Sequence, residues 1–582
     1  MITTLAGLPD AEFDLVVVGA GAGGMAAALF AALRGLKVLL VERTAHVGGT
    51  SALSGGTTWI PMSRHAAAVA PEDSLAAAER FLDSVVGNRS AASLRRAFLA
   101  SGPEAIATLE DQAEVRFRPY ATHPDYEQEH PGATLRGRAL EPVPFDGRSL
   151  GADLARIRPP IPEFTILGGM MVDRTDIGHL LKLTRSLASL RHALRLLAWY
   201  GRDRLAGRRG SRLVMGNALV GRLLAALKAR QVPILLEATV QGFLPAGAGV
   251  GGIVVAQGGT RRAIRARRGV VLAAGGFNRH PTRRAELLPV PTPAHCPGAP
   301  GHTGAMQDLA LAQGARFGTG ADQPVFWAPV SVRRRADGST AVFPHFVMDR
   351  SKPGTVCVDQ TGRRFVNESV SYHQFAKAML AAPADRPANP CFIVTDAAGL
   401  RQYGLGMVRM GTRDLRPFLE DGYLVAGASL AELAGKLGME AATLEATVAA
   451  MNAHAETGVD AEFGRGTTAY HRINGDAAQT PNPTLGPIAT APFYAVRLHP
   501  GDIGAATGLD IDTSARVLAA DGTPIPGLYA CGNEAQSIMG GTYPGPGISL
   551  GPAITFAYLA ARHAAGAEPA GAGEVGAGEV GR

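Results

Sequence analysis

The stretch DLVVVGAGAGGMAAALFAALRGLKVLLVER, residues 14–43, decides the fold of this chain. An apolar run typical of a buried strand leads into a glycine turn, an alanine-rich helix and a second apolar run. Gly19, Gly21 and Gly24 form the pattern G-x-G-x-x-G where the first strand meets the helix. The first glycine permits the turn, the second lets a pyrophosphate approach the backbone, and the third lets helix and strand pack closely. The stretch therefore predicts a Rossmann-type dinucleotide site.

The residues that follow this turn add to the same prediction. Ala22 and Gly23 open the helix, whose N-terminus offers the positive end of its dipole to a phosphate. Glu42 ends the second strand, where a carboxylate holds the adenosine ribose, and Arg43 follows it. We also consider a glycine turn that binds nothing and a membrane span over the uncharged residues 15–33. The glycines in that stretch break it into strand, turn and helix and so favour the dinucleotide site.

Three further segments favour FAD over a nicotinamide nucleotide. RTAHVGGTSALSGGTTWIP (residues 43–61) is a second glycine- and serine-rich loop, similar to the one that two-dinucleotide flavoenzymes extend towards the flavin. GVVLAAGGF (269–277) and GLYACGNEAQSIMGG (527–541) are each a strand that ends in glycine. Such sites at the start, middle and end of the chain predict one fold closed by its C-terminus. The further residues expected to bind FAD are Gly49, Thr50, Ser51, Ser54, Gly55, Gly56, Val240, Ala274, Gly275, Gly532, Asn533, Glu534, Ser549 and Leu550.

Composition argues against several other classes of function. The net charge of +7 comes with no basic patch interleaved with aromatic residues, so we expect no nucleic-acid partner. The four cysteines stand far apart and form no CxxC pair, so we expect no zinc, iron–sulfur or haem site, and no metal at all. Redox chemistry then needs a bound organic cofactor and an external electron acceptor, either quinone-like or O2. The first residues carry no signal-peptide pattern, which favours a cytoplasmic location.

The order of these segments predicts an α/β fold in which a Rossmann-type FAD-binding domain carries an inserted α+β substrate domain that caps the cofactor. We expect the first part of the FAD-binding domain at residues 1–290 and the substrate domain at 291–489, where extended pieces and helices change in character. The FAD-binding domain would return at 490–565. The glycine-rich repeat at 566–582 is of low complexity and predicts a disordered tail.

A basic amphipathic insertion near residues 152–212 interrupts the first domain. Its part 179–212 holds nine Lys or Arg residues and one acid, Asp203. A helix of this kind lies on a membrane surface or forms a hydrophobic substrate entrance; alternatively, it packs on its own domain with a solvated arginine face. The sequence leaves these alternatives open. The leucines that recur at helical spacing are Leu180, Leu183, Leu187, Leu190, Leu194 and Leu197.

Four motifs together resemble the 3-ketosteroid dehydrogenases, within the wider fumarate reductase/succinate dehydrogenase flavoprotein group. They are the N-terminal glycine motif, GGTSALSGGTTWIP (48–61), GRRFVNESVSY (362–372) and TYPGPG with the LGPA after it (542–553). The likeness runs from about residue 12 to 563. It implies FAD as cofactor, a small hydrophobic ketone as substrate, and introduction of a C=C bond α,β to a ring ketone, at the Δ1 position of a 3-ketosteroid.

The resemblance also implies a role for each of four residues. Tyr543 and Gly547 correspond to the tyrosine and the glycine amide that hold the substrate ketone, and Tyr372 corresponds to the general base. Tyr126 corresponds to a tyrosine that supports the base, although HPDYEQEHPG (123–132) departs from the family's usual DYYP. Enolisation assisted by these tyrosines would accompany hydride transfer to flavin N5.

Other functions remain as alternatives. Fumarate reductases carry an arginine where this chain has Tyr372, and a His-Thr pair where it has GDIGAATGLDID (501–512). A dicarboxylate would therefore find no cation at these places, which argues against a fumarate reductase-like activity. The same tyrosines would equally serve a desaturase or enone reductase of a smaller cyclic ketone. A flavin-binding protein without catalysis and a nicotinamide enzyme are further alternatives.

Overall fold

A computed structural model describes residues 1–183, 186–207 and 209–566. Its strands are β1 (Ile2–Thr3), β2 (Glu12–Val18), β3 (Val38–Val41), β4 (Thr58–Trp59), β5 (Phe117–Pro119), β6 (Ala139–Pro142), β7 (Phe145–Asp146), β8 (Thr165–Ile166), β9 (Met170–Met171), β10 (Arg212–Leu213), β11 (Ile234–Leu235), β12 (Thr239–Ala246), β13 (Gly249–Gln257), β14 (Thr260–Leu272), β15 (Val325–Arg334), β16 (Thr340–Pro344), β17 (Thr355–Val358), β18 (Cys391–Asp396), β19 (Leu424–Gly427), β20 (Phe493–Ala505), β21 (Arg516–Leu518) and β22 (Pro524–Ala530).

The α-helices are α1 (Ala22–Leu33), α2 (Ala66–Val69), α3 (Leu75–Val86), α4 (Ala92–Ala113), α5 (Arg174–Leu181), α6 (Leu187–Leu205), α7 (Met215–Ala229), α8 (Pro281–Leu287), α9 (Ala305–Ala312), α10 (Tyr372–Ala381), α11 (Ala397–Tyr403), α12 (Arg416–Glu420), α13 (Leu430–Leu437), α14 (Ala441–Thr457), α15 (Ala469–Asn474) and α16 (Leu550–Ala564). Within the described part of the chain, five 3-10 helices lie between these elements.

The larger sheet is the dinucleotide-binding sheet that the N-terminal stretch predicts. Its strand order is β1-β11-β3-β2-β14-β13-β12, and β22 pairs with β14 while β21 pairs with β22. β2 pairs in parallel with β3 and β14, and β14 pairs in parallel with β22. Parallel neighbours need a crossover, which α1 provides between β2 and β3. The carboxyl ends of these strands therefore lie along one edge of the sheet.

The second sheet belongs to the inserted part of the chain and is antiparallel. Its order is β16-β15-β20-β18-β17, and β19 also pairs with β20. Apolar residues of β17, β18 and β20 are buried against helices α13 and α14. The strand β20 starts after the domain boundary that we expected at residue 490. Phe493–Ala505 pairs with β15, β18 and β19 rather than with the larger sheet, and the expected domain boundaries remain a prediction.

The insertion near 152–212 contains two helices, α5 and α6, rather than one continuous helix. Ser186 caps α6 by accepting a hydrogen bond from the backbone N–H of Ser189. The buried side of α6 consists of Ser189, Ala193, Leu196, Tyr200 and Asp203. Leu183, Leu187, Leu190, Leu194 and Leu197, expected on the apolar side, are exposed instead.

These observations exclude a leucine stripe packed on its own domain. The part of the insertion that is buried is small, because Leu196 and Tyr200 pack only against Met170, Val172 and their neighbours. Across residues 1–183, 186–207 and 209–566, no helix is both long and apolar enough to span a bilayer. The disordered tail expected at 566–582 lies, apart from Gly566, outside the described residues.

Candidate active site

A cavity of about 790 Å³ lies at the carboxyl edge of the larger sheet and extends to the inserted sheet. It receives nearly every residue that the sequence predicts for the site. All four expected catalytic residues and all expected FAD-binding residues except Gly24 and Glu534 line its wall. The roles of these residues remain predictions, but the fold brings them to one place.

The glycine turn after β2 has the geometry that a bound pyrophosphate requires. Gly19 has φ +105°, and a Cβ there would lie 2.3 Å from the carbonyl oxygen of Ala273. Gly24 faces away from the cavity, and a Cβ there would lie 1.8 Å from the carbonyl oxygen of Gly19. Gly24 therefore provides the close packing of helix and strand, whereas Gly21 and Gly23 face the cavity.

Polar side chains hold the loops around this turn. Glu42 is buried, and its carboxylate accepts hydrogen bonds from the backbone N–H groups of Ala20 (2.9 Å) and Thr44 (2.8 Å). Ser51 Oγ accepts a 3.1 Å hydrogen bond from the N–H of Ala22 at the start of α1. Glu42 faces the cavity with lone pairs left over, as a ligand for ribose hydroxyls would.

Glu534 does not line the cavity, in contrast to the prediction. Its Oε2 accepts a 2.9 Å hydrogen bond from the N–H of Gly276, and the side chain is fully buried. Burial raises the pKa of this carboxyl to about 7. Glu534 therefore joins the glycine turn after β14 to the turn after β22, and the neighbouring Gly532 and Asn533 face the cavity instead.

The sequence analysis missed a third glycine-rich loop, residues 297–304, which also lines the cavity. His302 in this loop is buried, and its Nε2 lies 3.3 Å from Thr50 Oγ1. Burial, together with the nearby Arg279 and Arg158, lowers the pKa of His302 to about 4. Its Nδ1 has no hydrogen-bond partner among the described residues. Glycines directly before helix α9 were the signal that could have identified this loop.

These features fit FAD. Three glycine-rich loops, two helix N-termini and a buried carboxylate surround the part of the cavity at the sheet edge, and a buried imidazole nitrogen there is unpaired. Glycines let a pyrophosphate approach the backbone, and helix N-termini attract its charge. The residues that would hold the cofactor are therefore those of the turn after β2, Glu42, the 49–56 loop and the 297–304 loop.

The three predicted catalytic tyrosines form one buried cluster. The ring centroid of Tyr372 lies 5.0 Å from that of Tyr543 and 5.7 Å from that of Tyr126. The rings of Tyr126 and Tyr543 are stacked at 5.9 Å. The phenols of the other two tyrosines are close enough to that of Tyr372 to raise its pKa. Tyr372 begins α10 and Tyr126 precedes β6, so the tertiary fold brings them to the 542–547 loop.

Tyr470 is a fourth tyrosine of this cluster, and the sequence analysis missed it. It lies on α15, only 1% exposed, with its ring centroid 4.7 Å from that of Tyr126. Its hydroxyl has no hydrogen-bond partner among the described residues. A lone tyrosine in a short helix carries no sequence signal of a site, so only the structure could have identified it.

Burial governs the acidity of the phenols. It raises the pKa values of Tyr126 and Tyr372 well above the ordinary value of a tyrosine, and neighbouring phenols raise them further. Burial also raises the pKa of Tyr543, while its hydrogen bonds with Tyr372 and Ser549 oppose that rise. In the protein without a ligand, all three hydroxyls are therefore protonated at neutral pH.

The loop after Tyr543 presents a free backbone donor to the cavity. Among the described residues, none accepts a hydrogen bond from the Gly547 N–H. Gly547 has φ +91°, and a Cβ there would lie 2.4 Å from the carbonyl oxygen of Thr57. Only glycine therefore fits this position. A phenol and an unpaired amide on one loop make a pair of donors suited to a carbonyl oxygen.

Arg174, at the first position of α5, also faces the cavity. Its guanidinium carbon lies 5.2 Å from the ring centroid of Tyr120, whose hydroxyl is 3.2 Å from Thr57 Oγ1. Among the described residues, no carboxylate lies within 4 Å of Arg174, because Glu141 and Asp173 pair with Arg118. The cavity therefore contains a cation. Arg174 lies outside the two segments that were compared with the fumarate reductases.

Comparison with known proteins identifies the family. A family model described as "FAD binding domain" matches residues 14–550. This chain belongs to that FAD-binding flavoprotein family. It is 36% identical to the 3-oxosteroid 1-dehydrogenase of Mycobacterium tuberculosis, over 95% of this chain and 98% of that protein. It is 35% identical to the 4-oxocyclohex-2-ene-1-carboxylate 5-dehydrogenase of Sinomonas cyclohexanicum, over 95% and 93% respectively.

The fold agrees with these matches. The chain superimposes on the crystal structure of the 3-ketosteroid Δ1-dehydrogenase from Sterolibacterium denitrificans in complex with 1,4-androstadiene-3,17-dione. The TM-score is 0.89 at 35% identity, with 96% of this chain and all of the other covered. The expected family and cofactor are confirmed: the protein is an FAD-dependent oxidoreductase with the fold of the ketosteroid dehydrogenases.

Proposed function

We propose that this protein introduces a C=C bond α,β to a ring ketone, at the Δ1 position of a 3-ketosteroid. The observation that carries the proposal is the pair of donors on the 542–547 loop, the hydroxyl of Tyr543 and the unpaired N–H of Gly547. Both donors are neutral, which suits an uncharged ketone oxygen. The 3-oxosteroid 1-dehydrogenases among the relatives act on substrates that carry such a ketone, which supports the proposal.

The ketone oxygen would accept hydrogen bonds from Tyr543 and Gly547 together. This withdraws electron density from the carbonyl and stabilises the developing enolate; one such donor is worth about 3 kcal/mol in the transition state. The α carbon becomes more acidic as a result. Tyr372, whose ring centroid lies 5.0 Å from that of Tyr543, would remove the α proton.

To act as the base, Tyr372 would first have to lose its own hydroxyl proton to solvent, and burial makes this loss harder because it raises the pKa of the phenol. The neighbouring phenols of Tyr126 and Tyr543 raise that pKa further, so only a small fraction of Tyr372 would be phenolate at neutral pH. Bound FAD supplies the hydride acceptor, and an external acceptor, quinone-like or O2, would regenerate it. Aromatic residues around the tyrosines, such as the partly buried Phe346, would limit the access of water to the enolate.

An anaerobic reduction experiment tests this function. The purified protein, with FAD bound, is mixed with a 4-ene-3-ketosteroid without oxygen, and absorbance at 450 nm is followed. Loss of that absorbance, with formation of the 1,4-diene, is the expected result. An unchanged spectrum with the steroid, and with every other ring ketone offered, would contradict the proposal.

A second candidate is a smaller ring ketone that carries a carboxylate. Two relatives from Sinomonas cyclohexanicum, at 35% and 36% identity, are named for 4-oxocyclohexene and 4-oxocyclohexane carboxylates. Arg174 favours this candidate, because its guanidinium faces the cavity and no carboxylate of the described residues pairs with it. Its guanidinium lies 5.2 Å from the ring centroid of Tyr120, whose hydroxyl is 3.2 Å from Thr57 Oγ1, so a cation faces the same cavity as the ketone donors.

The two candidates differ in their dependence on Arg174. For 4-oxocyclohexanecarboxylate, Arg174→Gln is expected to raise KM about 10-fold or more, since a charge-assisted hydrogen bond is lost. For a neutral steroid, the same change leaves KM within about 2-fold. Arg261→Gln, an exposed arginine outside the cavity, is the matched control. A KM for the acid that does not respond to Arg174→Gln would refute this role.

We further propose a peripheral contact with a membrane through the leucine face, defined as Leu181, Leu187, Leu190, Leu194 and Leu197. All five are exposed, Leu187 by 85%. The exposed cations on and beside α6 have no carboxylate within 4 Å among the described residues, and the two acids within α5 and α6, Asp176 and Asp203, are buried. An apolar face with a basic surround suits a bilayer with anionic lipids. Leu181 also lines the cavity, so the contact would adjoin the entrance for a hydrophobic substrate.

Sedimentation with lipid vesicles tests this contact. We expect binding to vesicles of phosphatidylcholine with 30% phosphatidylglycerol, weaker binding to phosphatidylcholine alone, and loss of binding in the double variant Leu187→Ser/Leu194→Ser. Leu75→Ser/Leu419→Ser removes two leucines that are also exposed but lie outside the face, and serves as control. Equal binding by the two double variants would contradict the proposal.

A further inference from the structure

A buried chain of polar side chains lies behind the tyrosine cluster, and the proposed mechanism does not use it. It consists of Trp59 on β4, Asp125, Arg138 and Asp73. Each of the first three is at most 1% exposed. Burying a carboxylate and a guanidinium is costly unless both are fully paired, so such a chain requires a physical reason.

The hydrogen bonds of the chain are complete. Asp125 Oδ1 accepts from the indole Nε1 of Trp59 at 2.8 Å, and Oδ2 accepts from Arg138 Nη1 at 2.9 Å and from the N–H of Thr134 at 3.0 Å. Arg138 also donates to both carboxylate oxygens of Asp73, at 2.8 and 2.6 Å. Three N–H groups thus point at Asp125, which is the pattern of an ionised carboxylate.

Two other hydrogen bonds connect the chain to the ketone-binding loop. The backbone N–H of Tyr126 donates to the carbonyl oxygen of Pro544 at 2.7 Å, and that of Trp59 donates to the carbonyl oxygen of Gly547 at 3.2 Å. Since Asp125 precedes Tyr126 in the chain, the indole–carboxylate bond closes a ring of contacts. The ring runs from Pro544 to Tyr126, through Asp125 and Trp59, and back to Gly547.

The 542–547 loop packs closely against the indole–carboxylate bond of this ring of contacts. A Cβ on Gly545 would lie 2.9 Å from the indole nitrogen of Trp59 and 3.1 Å from Asp125 Oδ1. The indole–carboxylate bond therefore passes directly under the loop between Tyr543 and Gly547. The two ketone donors and Tyr126 are thereby connected to one rigid support, although the three segments are far apart in the sequence.

We infer that the Trp59–Asp125 hydrogen bond, held by Arg138 and Asp73, sets the distance between the ketone donors and Tyr126, the tyrosine that would support the base. These four are positioning residues, and the inference rests on the proposed function. A misplacement of about 1 Å between a base and its substrate lowers the rate by about 100-fold. The bond therefore affects proton removal more than substrate binding.

A pair of tryptophan variants isolates this effect. Trp59→Phe removes the indole N–H and keeps an aromatic ring between Phe98 and Phe81. Trp327→Phe is the matched control, because Trp327 is equally buried and its Nε1 donates a 2.9 Å hydrogen bond to Gln323, outside the cavity wall. Both variants lose one indole hydrogen bond, so a general loss of stability would affect them alike.

For the ring ketone that reduces the wild-type protein best, we expect Trp59→Phe to lower the rate of flavin reduction by about 10- to 100-fold with KM changed less than about 3-fold. The isotope effect from deuterium at the α carbon is expected to grow. Trp327→Phe is expected to change neither the rate of flavin reduction nor the isotope effect. If both variants reduce the flavin equally fast, with equal isotope effects, the inference is wrong.

Amide hydrogen exchange gives a readout that needs no substrate. The N–H groups of residues 59 and 126 are expected to exchange faster in Trp59→Phe than in the wild type, and to be unchanged in Trp327→Phe. Unchanged exchange in Trp59→Phe would overturn the inference. If the wild type is reduced by no ring ketone, the proposed function fails, and exchange alone still decides whether the ring of contacts exists.

Discussion

Replacing Gly547 by alanine is the most direct test of the ketone-binding loop. The new Cβ would lie 2.4 Å from the carbonyl oxygen and 2.6 Å from the carbonyl carbon of Thr57, where ordinary contacts begin at 3.4 Å. Both atoms belong to the backbone, so no side chain can rotate to make room. The loop must therefore move by about 1 Å, and its amide moves away from the ketone oxygen.

The size of the effect follows from this shift. Loss of one donor to a developing oxyanion costs about 3 kcal/mol, which is about 100-fold in kcat. The positive φ of +91° adds a strain of about 1 to 3 kcal/mol to the folded state. We therefore expect a lower melting temperature as well as slower flavin reduction.

Stopped-flow measurement of flavin reduction under anaerobic conditions checks the prediction, with FAD content verified by the 450 nm absorbance. Gly338→Ala is the matched control, because Gly338 has φ +80° and no atom within 4 Å of its missing Cβ. The Gly338→Ala variant would have the same kind of backbone strain as Gly547→Ala, but its new Cβ would not collide with another atom. A Gly547→Ala protein that is reduced within about 3-fold of the wild-type rate would refute the assigned role of this amide.

Three other predictions concern the base and the cofactor. Tyr372→Phe should lower the rate of flavin reduction by about 100-fold or more with FAD still bound, because a general base is lost. A smaller decrease in this rate would indicate that another phenol acts as the base. Since burial raises the pKa of Tyr372, the ionised fraction grows with pH, and turnover should rise steadily from pH 7 to pH 10; a flat profile would exclude a phenolate base. Gly19→Ala, whose Cβ would lie 2.3 Å from Ala273 O, should yield protein without 450 nm absorbance.

Local patterns in the sequence were sufficient for the cofactor site. Gly19, Gly21 and Glu42 lie within 24 residues, and the turn they form is determined by neighbours in the chain. The prediction of β2, α1 and β3 is therefore confirmed, and so are the family and the FAD cofactor. The 297–304 loop was missed although its glycines precede a helix, because His302 in that loop has no recognised position in a dinucleotide motif.

For the insertion near residues 152–212, in contrast, local patterns in the sequence were not sufficient. Helical spacing of leucines correctly indicated an amphipathic segment, but spacing alone does not say which side is buried. The structure buries Leu196 and Tyr200 and exposes Leu187 and Leu194, because few apolar residues surround α6. Strand pairing likewise joins β20, which begins just after the boundary expected near residue 490, to strands that are distant in the chain.

The sequence by itself determined the family, the cofactor and which tyrosines to examine. Each of these was recognised from short motifs, and the residues of one motif are close together in the chain. Only the tertiary structure decided how Tyr126, Tyr372 and Tyr543 meet, that Tyr470 joins them, and that Trp59 and Asp125 connect their supports. These contacts join segments hundreds of residues apart. Their distances follow from the packing of two sheets, which no local pattern encodes.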